Sequence, residues 1–364
     1  MIKFSKVVFL FLYMTSSFAN SIEYLAYKQL NSSIYKKVVP GKEIDLGRYR
    51  SQDGIGICYN FTFIKRLENL CKTTDHCDLG SDEINALHLY KITHDGIPLQ
   101  ENSVGGGHTS MILDSLKKEG TPYKFYKESC APFDQMIYRR ITQGNPNSGA
   151  YTYMENQEQG LIRLKEQFNA AKDCADCIPE IAKGIKEDFK NIKGSLAQIE
   201  LILENTKGVE FKIFSDVLFF QLQCRDPKNH IKIKPFKSKY ASTLKYPTIQ
   251  SKIDLTLVLL NKNITPELAV CNSPKDSVGK RTCGDHAILI NGHRKRCNSE
   301  NICKLEFKVF NSWGKDWQDE NNDGWVDAKN LFQYVLRKPK NETDTEPRYP
   351  PEENYRFIQW FEAN

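Results

Sequence analysis

Three stretches of the sequence carry side chains that together could perform nucleophilic catalysis. Cys58 lies in QDGIGICYNF, His286 opens an apolar run in CGDHAILINGH, and Asn311 lies in FKVFNSWGKDW. A cysteine becomes a strong nucleophile when a histidine accepts its proton, and an amide side chain can orient that histidine. Apolar residues at helical spacing follow Cys58, and the dipole at a helix N-terminus stabilises a thiolate.

Gln52, six residues before Cys58, could donate a hydrogen bond to an oxyanion beside the backbone N–H of Cys58. Loss of one such donor typically costs about 10²–10³ in rate. Each of these four residues also has an ordinary structural alternative: half of a disulfide, a strand-edge histidine, a turn-forming asparagine or a surface glutamine. Taken one at a time, the ordinary alternatives are favoured, and the four together favour catalysis only through the family resemblance that their order and the NSWG motif carry.

These stretches resemble the papain-like cysteine peptidases. The likeness rests on the spacing of Gln52 and Cys58, on Tyr59 after the cysteine, on DHAI at 285–288 and on NSWG-x2-W at 311–317. It implies an α+β, papain-like two-layer fold, with a helical left part, a β-rich right part and a cleft between them. The implied activity is that of a hydrolase, which cleaves peptide bonds through a cysteine thiolate–histidine imidazolium pair and an acyl-enzyme, and which needs no cofactor.

The resemblance also implies a role for each site residue. Cys58 is the expected nucleophile and His286 its base. Asn311 is expected to orient the imidazole, and Gln52 to stabilise the oxyanion.

Substrate contacts follow from the same resemblance. Trp313 is expected to cover the histidine–asparagine bond and to lie beside the substrate. The glycines in SVGGGHTSM resemble the family's substrate-side glycines, so Gly106 and Gly107 are candidate binding residues. Two other functions remain open: a transpeptidase that uses the same site, and a non-catalytic binding protein on the same fold.

Two departures from the family pattern bear on this interpretation. Ile55 occupies the position where the family usually has a disulfide cysteine, and Ser103 and Val104 occupy the region of its partner. The resemblance therefore makes Cys58 the unpaired member of eleven cysteines. In addition, His286 lies 228 residues after Cys58, against roughly 130–150 in the family. The excess predicts an insertion.

The chain is expected to divide into four segments. A positively charged start, an apolar run and small residues near position 19 predict a signal peptide over 1–19. The helical part with the nucleophile covers 20–150, a mainly helical insertion covers 151–236, and the β-rich part with the histidine and asparagine covers 237–364. The protein is then secreted or periplasmic, where disulfides persist.

Hydrophobic periodicity predicts the elements of the insertion and of the β-rich part. Apolar residues at steps of three and four predict two amphipathic helices, joined at CADCIP with Pro179 at the start of the second. Alternating or continuous apolar runs after them predict strands: VEFKIF, HIKIKPF, DLTLVLL, HAILING, LEFKVF and YRFIQWF. The insertion is placed where it could reach the cleft and restrain activity.

Short loops predict the disulfides Cys71–Cys77 and Cys297–Cys303, while connectivity among the other six paired cysteines stays open. Cys174 and Cys177 form a C-x2-C motif. Because no second cysteine pair or spaced histidine pair completes a zinc site, a structural bridge is favoured over zinc or redox chemistry.

Charge and composition limit the partners. A net charge of +6 without a long basic block does not indicate nucleic-acid or membrane binding, so a peptide or protein substrate and a monomer are expected. The loop DENNDGWVDAKN at 319–330 matches part of a calcium loop, but Asn330 stands where such loops have a glutamate. A polar loop is therefore favoured over a Ca²⁺ site, and no metal ligands are assigned.

Overall fold

The computed structural model of the protein describes residues 27–52, 57–94, 109–132, 156–189, 192–242, 245–271, 285–333 and 356–364. These residues form an α+β structure with an antiparallel sheet. Within these ranges no helix combines the length and apolarity needed to span a membrane. The predicted signal peptide, 1–19, lies outside the described residues.

Helices predominate in the first two thirds of the chain, and strands predominate after that. The helices are α1 Cys58–Thr73, α2 Ala86–His94, α3 Thr109–Glu119, α4 Asn156–Asp173, α5 Ile178–Asp188, α6 Leu196–Thr206, α7 Phe211–Asp216, α8 Ile249–Asn261, α9 Gly314–Glu320 and α10 Ala328–Gln333.

The strands form a large and a small antiparallel sheet. They are β1 Lys37–Glu43, β2 Tyr123–Tyr126, β3 His230–Ile233, β4 Phe236–Ser242, β5 Glu267–Cys271, β6 Asp285–Cys297, β7 Cys303–Phe310, β8 Trp325–Asp327 and β9 Arg356–Ala363. The large sheet has the order β4-β9-β5-β6-β7-β8, and β1 pairs with the second half of β6. β2 and β3 form the small sheet. The N-terminal strand β1 thus joins the sheet of the C-terminal part.

Helix α1 lies between two hydrophobic clusters. One cluster joins the α1 residues Phe63 and Leu67 to the helices of the N-terminal half and of the insertion. The other fills the large sheet and its helices, with Ile288 and Val309 at its centre. Residues from Tyr59 to Cys71 of α1 are all buried, so its first turn is held firmly where the two clusters meet.

The predicted insertion helices are present, but the second one is divided. Helix α4 leads through a short turn at 175–177 into α5, which has its proline in the first turn as predicted. The chain then breaks, and Ser195 starts α6 with a capping box in which it exchanges hydrogen bonds with Gln198. This reciprocal cap satisfies two orphan backbone donors, which explains why a new helix begins there.

Two of the predicted strands are helices. VEFKIF forms most of α7, and DLTLVLL lies within α8. Thr248 and Ser251 form a capping box at the start of α8, whose length of 13 residues exceeds that of a typical buried strand. A short apolar run fits a buried helix as well as a buried strand, so the periodicity misled in both places. HIKIKPF, HAILING, LEFKVF and YRFIQWF contribute to strands as predicted.

Four disulfides lie within the described residues. The predicted bridges Cys71–Cys77 and Cys297–Cys303 are present, Cys174 pairs with Cys177, and Cys130 pairs with Cys224. The last bridge ties the end of the insertion to the segment after β2. Cys58 is the free cysteine of the described part of the chain. Cys283 lies outside the described residues.

Candidate functional site

Cys58 is the first residue of α1, so its thiol lies at the N-terminus of a helix. The backbone N–H of Ala287 donates to Sγ of Cys58 at 3.5 Å. Ala287 directly follows His286 in β6, so the thiol lies against the strand that carries the candidate base. The residue is half-buried. Burial raises the pKa of the Cys58 thiol to about 11, and the N–H of Ala287 opposes that rise.

His286 and Asn311 form a hydrogen bond next to this thiol. Nε2 of His286 lies 2.8 Å from Oδ1 of Asn311, and the same oxygen accepts the backbone N–H of Ser312 at 2.8 Å. Because Oδ1 is the acceptor, Nε2 carries the hydrogen, and Nδ1 is the basic nitrogen of the neutral imidazole. Burial lowers the pKa of His286 to about 4, and the bond to Asn311 partly opposes this.

Trp313 lies against the ring of His286. The pairing of β6 with β7 ends at Leu289 opposite Phe310, and three residues beyond that pair along each segment are His286 and Trp313. Their rings stack with centroids 4.6 Å apart and planes 24° apart. Trp313 is half-buried, whereas Asn311 is fully buried, so the histidine–asparagine bond is shielded from water.

The sequence NSWG forms a tight connection between β7 and α9. Gly314 has a φ of +84°, and a Cβ at this position would lie 3.3 Å from Cβ of Ser51. The N–H of Gly314 donates to the carbonyl of Arg50 at 3.1 Å, and Ser51 forms a β-bridge with Trp313. Glycine is therefore required both for the backbone conformation and for the close approach of the 50–52 segment.

The same segment brings Gln52 to the site. The N–H of Gln52 donates to the carbonyl of Ser312 at 2.7 Å, and the hydroxyl of Ser312 donates to Oε1 of Gln52. This second bond fixes which half of the Gln52 amide is the acceptor. The side chain is buried, with 6% of its surface exposed, so its orientation is set by the protein and not by solvent.

The structure thus brings together the elements that carry Cys58, His286, Asn311, Gln52 and Trp313. The two candidate substrate glycines, at 106 and 107, lie outside the described residues.

Three of the four carboxylates in the segment 319–330 are engaged by other groups. Asp319 pairs with Lys315, and Asp323 pairs with Lys308. Oδ1 of Asp327 accepts the N–H of Asn330 at 2.9 Å. Among the described residues, no group of three or more histidine, cysteine or acidic side chains is arranged to hold a metal ion. The segment forms the end of α9, a turn, β8 and the start of α10.

Sequence reasoning missed two supporting residues. Ser312 holds the Gln52 amide, although its position within NSWG was a signal that could have found it. Tyr27 packs edge-on against Trp313 and Trp317, with ring centroids 6.0 and 5.1 Å away. Nothing in the local sequence around Tyr27 indicates this contact, because its partners follow almost three hundred residues later in the chain.

No family model matches the chain, and no curated protein sequence matches it. Among solved structures it is similar to SERA5E from Plasmodium falciparum, at 12% identity and a TM-score of 0.43, over 87% of this chain and 90% of that one. It is also similar to the SERA5 proenzyme from that organism, at 13% identity and a TM-score of 0.39, over 87% and 62% of the two chains. A third similar structure is PepW from Lactobacillus rhamnosis, at 14% identity and a TM-score of 0.34, over 79% and 80%.

Proposed function

We propose that this chain is a papain-like cysteine peptidase that hydrolyses peptide bonds in peptide or protein substrates. The observation that carries the proposal is the arrangement around β6. Nε2 of His286 is bonded to Asn311 at 2.8 Å, and the next residue, Ala287, donates its N–H to the Cys58 thiol at the start of α1. A free thiol at a helix N-terminus beside an oriented imidazole is the arrangement that nucleophilic catalysis requires.

The reaction begins when Nδ1 of His286 takes the proton from the thiol of Cys58. Sγ attacks the carbonyl carbon, and the carbonyl electron pair moves onto oxygen. The tetrahedral intermediate then collapses: the C–N bond breaks, and the imidazolium gives its proton to the departing amine. Water attacks the resulting thioester while His286 accepts the proton of that water, and breaking the C–S bond returns the thiol.

Because Cys58 and His286 are both buried, transfer of the proton from the thiol to the imidazole is favoured over ionisation of either group alone. With the pKa of Cys58 raised to about 11 and that of His286 lowered to about 4, a resting site at neutral pH holds a thiol and a neutral imidazole. Proton transfer creates a thiolate and an imidazolium together, so each charge supplies the counter-charge of the other. The substrate carbonyl then receives the negative charge.

Stabilisation of that negative charge is assigned to Gln52 and to the backbone N–H of Cys58. The hydroxyl of Ser312 engages the amide oxygen of Gln52, which orients the amide so that its N–H₂ group is the donor. A donor held before the reaction stabilises the developing oxyanion without reorganisation. Gly106 and Gly107 remain proposed substrate contacts.

The proposal includes the compartment. The four disulfides of the described residues are typical of an oxidising environment, which supports secretion or a periplasmic location. It also includes the N-terminal signal peptide, whose charge and apolar pattern are features of the sequence.

A thiol-directed trap and a peptide library test the proposed function together. An epoxide or vinyl-sulfone trap should label the wild-type protein at Cys58, and the unlabelled protein should cleave members of the library. Cys58→Ala should lose both properties. Hydrolysis that persists in Cys58→Ala would overturn the proposal. Labelling without hydrolysis would favour a binding protein, and transfer of the acyl group to an added amine would favour a transpeptidase.

A further inference from the structure

A buried carboxylate lies behind the first turn of α1. Thr62 is one helical turn after Cys58, on the same face of the helix. Its hydroxyl lies 2.8 Å from Oε2 of Glu267, in β5. Glu267 is 6% exposed, so water screens its charge little.

The pairing of β5 with β6 independently places the Glu267 carboxylate at the same position. Ala287, which donates its N–H to Sγ of Cys58, is directly opposite Ala269 in the pairing of β5 with β6. Glu267 is two residues from Ala269 on β5, so the two side chains point to the same face of the sheet. Two strand residues span about 7 Å. This spacing, together with the bond from Thr62 one helical turn from Cys58, puts the carboxylate on the order of 7 Å from the thiol, on the side of α1.

Two further groups hold this carboxylate. Arg66 forms an ion pair with Oε2 of Glu267, and Thr109 donates its hydroxyl to Oε1 at 3.0 Å. Nη2 of Arg66 also lies 3.0 Å from the hydroxyl oxygen of Thr109, and its guanidinium stacks 4.2 Å from the ring centre of Phe361. All of these groups are fixed, because Arg66 and Thr109 are 2% and 1% exposed.

The Glu267–Arg66 ion pair is oriented with its negative member nearer to the Cys58 thiol. Along α1, Thr62 is one turn from Cys58 and Arg66 is two turns from it, and Glu267 is bonded to both. Burial raises the pKa of the Cys58 thiol most, and the charge of Glu267 adds to that rise. Within the described residues, the titratable groups next to the thiol along the chain elements that contact it are His286, which precedes Ala287 on β6, and Tyr59, which follows Cys58 on α1.

Stability alone gives little reason for such a pair. Taking two charges out of water costs free energy, and apolar side chains of similar volume often serve as well or better. We propose that Glu267 is a positioning residue, which anchors the first turn of α1 through Thr62 and sets the charge balance at the Cys58–His286 pair. Its carboxylate opposes formation of the thiolate. This inference rests on the proposed function of that pair.

The test is the pH dependence of alkylation of Cys58 by iodoacetamide, which reacts with the thiolate. Glu267→Gln keeps the shape of the side chain and removes its charge. The apparent pKa of the thiol should then fall by about one unit or more, the size expected for one charge at about 7 Å in an effective dielectric near 20. The control is Asp188→Asn, another buried carboxylate, which pairs with Arg163 in the insertion. This control should leave the profile unchanged.

Glu267→Gln leaves Arg66 buried without its counter-charge and could unfold the protein. The double variant R66Q/E267Q removes both charges, and it should show a smaller fall in the pKa of the thiol, because Arg66 is the more distant charge. The proposal is overturned if folded E267Q has the alkylation profile of the wild type. Where E267Q does not fold, the same result in folded R66Q/E267Q overturns it. Alkylation reports on Cys58 whether or not the protein cleaves peptides, so failure of the peptidase proposal would be seen separately.

Discussion

Oδ1 of Asn311 lies 2.8 Å from Nε2 of His286, and Asn311 has no surface exposed to solvent. The same oxygen accepts the N–H of Ser312, so rotation of the amide would break two hydrogen bonds. The imidazole is thus held from the side of the β7–α9 connection, while the thiol reaches β6 from α1. Asn311 is in a position to orient the ring but not to exchange a proton with substrate.

Removal of the orienting amide should therefore weaken catalysis without ending it. Asn311→Ala is expected to lower kcat by roughly 10²-fold, because the imidazole loses its fixed direction but keeps its basic nitrogen. Cys58→Ala and His286→Ala should abolish thiol-dependent turnover, since each removes a reacting group. Steady-state kinetics on a peptide substrate measures the difference. If a folded Asn311→Ala variant is as inactive as Cys58→Ala, the role given to the asparagine is wrong.

Ser312 provides a second test, because its hydroxyl holds the amide oxygen of Gln52. Ser312→Ala should lower kcat by about tenfold and leave KM nearly unchanged, because the interaction it supports is formed only in the transition state. Gln52→Ala should cost about 10²–10³. Ser299→Ala, at an exposed position, is the control and should change neither constant. A rise in KM with constant kcat in Ser312→Ala would instead assign the serine to substrate binding.

The α+β class and several strands could be predicted from the sequence because their patterns are local. HAILING and LEFKVF alternate or run apolar between turn signals, and both form central strands of the sheet. VEFKIF and DLTLVLL have similar patterns but are helices, because the caps and the tertiary packing decide between the two structures. Local hydrophobicity does not contain that information.

The candidate site, too, could be predicted from the sequence only in part. Cys58, His286 and Asn311 could be proposed because each lies in a recognisable motif of its own. Glu267 and Tyr27 could not, since neither lies in a motif and their contacts join residues that are distant in the chain. Only the folded arrangement of α1 against β5 and β6 reveals the carboxylate beneath the thiol.

A buried histidine predicts acid sensitivity. Burial, together with the smaller effects of the charges of Lys91 and His230, lowers the pKa of His88 to about 3. Nδ1 of His88 also accepts the N–H of Tyr126 at 3.4 Å, a bond that requires a neutral ring. The unfolded chain takes up a proton at about pH 6.5, whereas the folded protein resists it down to about pH 3. The free energy of unfolding should therefore fall as the pH decreases through this range.

Urea unfolding of the wild type and of His88→Gln at pH 7 and pH 5 measures this effect. A group that is protonated in the unfolded chain but not in the folded protein lowers the free energy of unfolding by about 1.4 kcal/mol per pH unit. The partial exposure of His88 makes its contribution smaller. The variant should lose less stability than the wild type between the two pH values. His286 has a shift of the same sign, so a residual loss is expected. Equal losses in the two proteins would contradict the assignment to His88.

The cysteine count predicts a single reactive thiol in the non-reduced protein. Four disulfides lie in the described residues, and Cys271 and Cys283 are predicted to form a fifth. Titration of the denatured, non-reduced protein with a thiol reagent should give one thiol per chain, and none in Cys58→Ala. Three thiols per chain would mean that the fifth bridge is absent, and five would mean that a described bridge opens as well.

The insertion is expected to stabilise the helical half and not to fold as a separate unit. Phe168 of α4 is fully buried, stacks on Phe214 of α7 at 4.6 Å and belongs to the same hydrophobic cluster as Phe63 of α1. Phe168→Ala should lower the free energy of unfolding by about 3–5 kcal/mol. Leu201→Ala, on the exposed face of α6, is the control and should change it by about 0.5 kcal/mol or less.

The insertion either braces the fold or serves as a separate gate to the cleft, and the accessibility of Cys58 during unfolding distinguishes the two. If the insertion braces the fold, alkylation of Cys58 and loss of helical circular dichroism should have the same urea midpoint, and Phe168→Ala should shift both together. An insertion that serves as a separate gate would unfold in its own transition, at lower urea, with Cys58 still protected. Unfolding of such a gate would also raise the rate of casein cleavage relative to that of a short peptide at those urea concentrations, because a gate excludes large substrates. The hydrophobic cluster that contains both Phe168 of α4 and Phe63 of α1 favours the first result, because a cavity at Phe168 weakens the same core that buries α1.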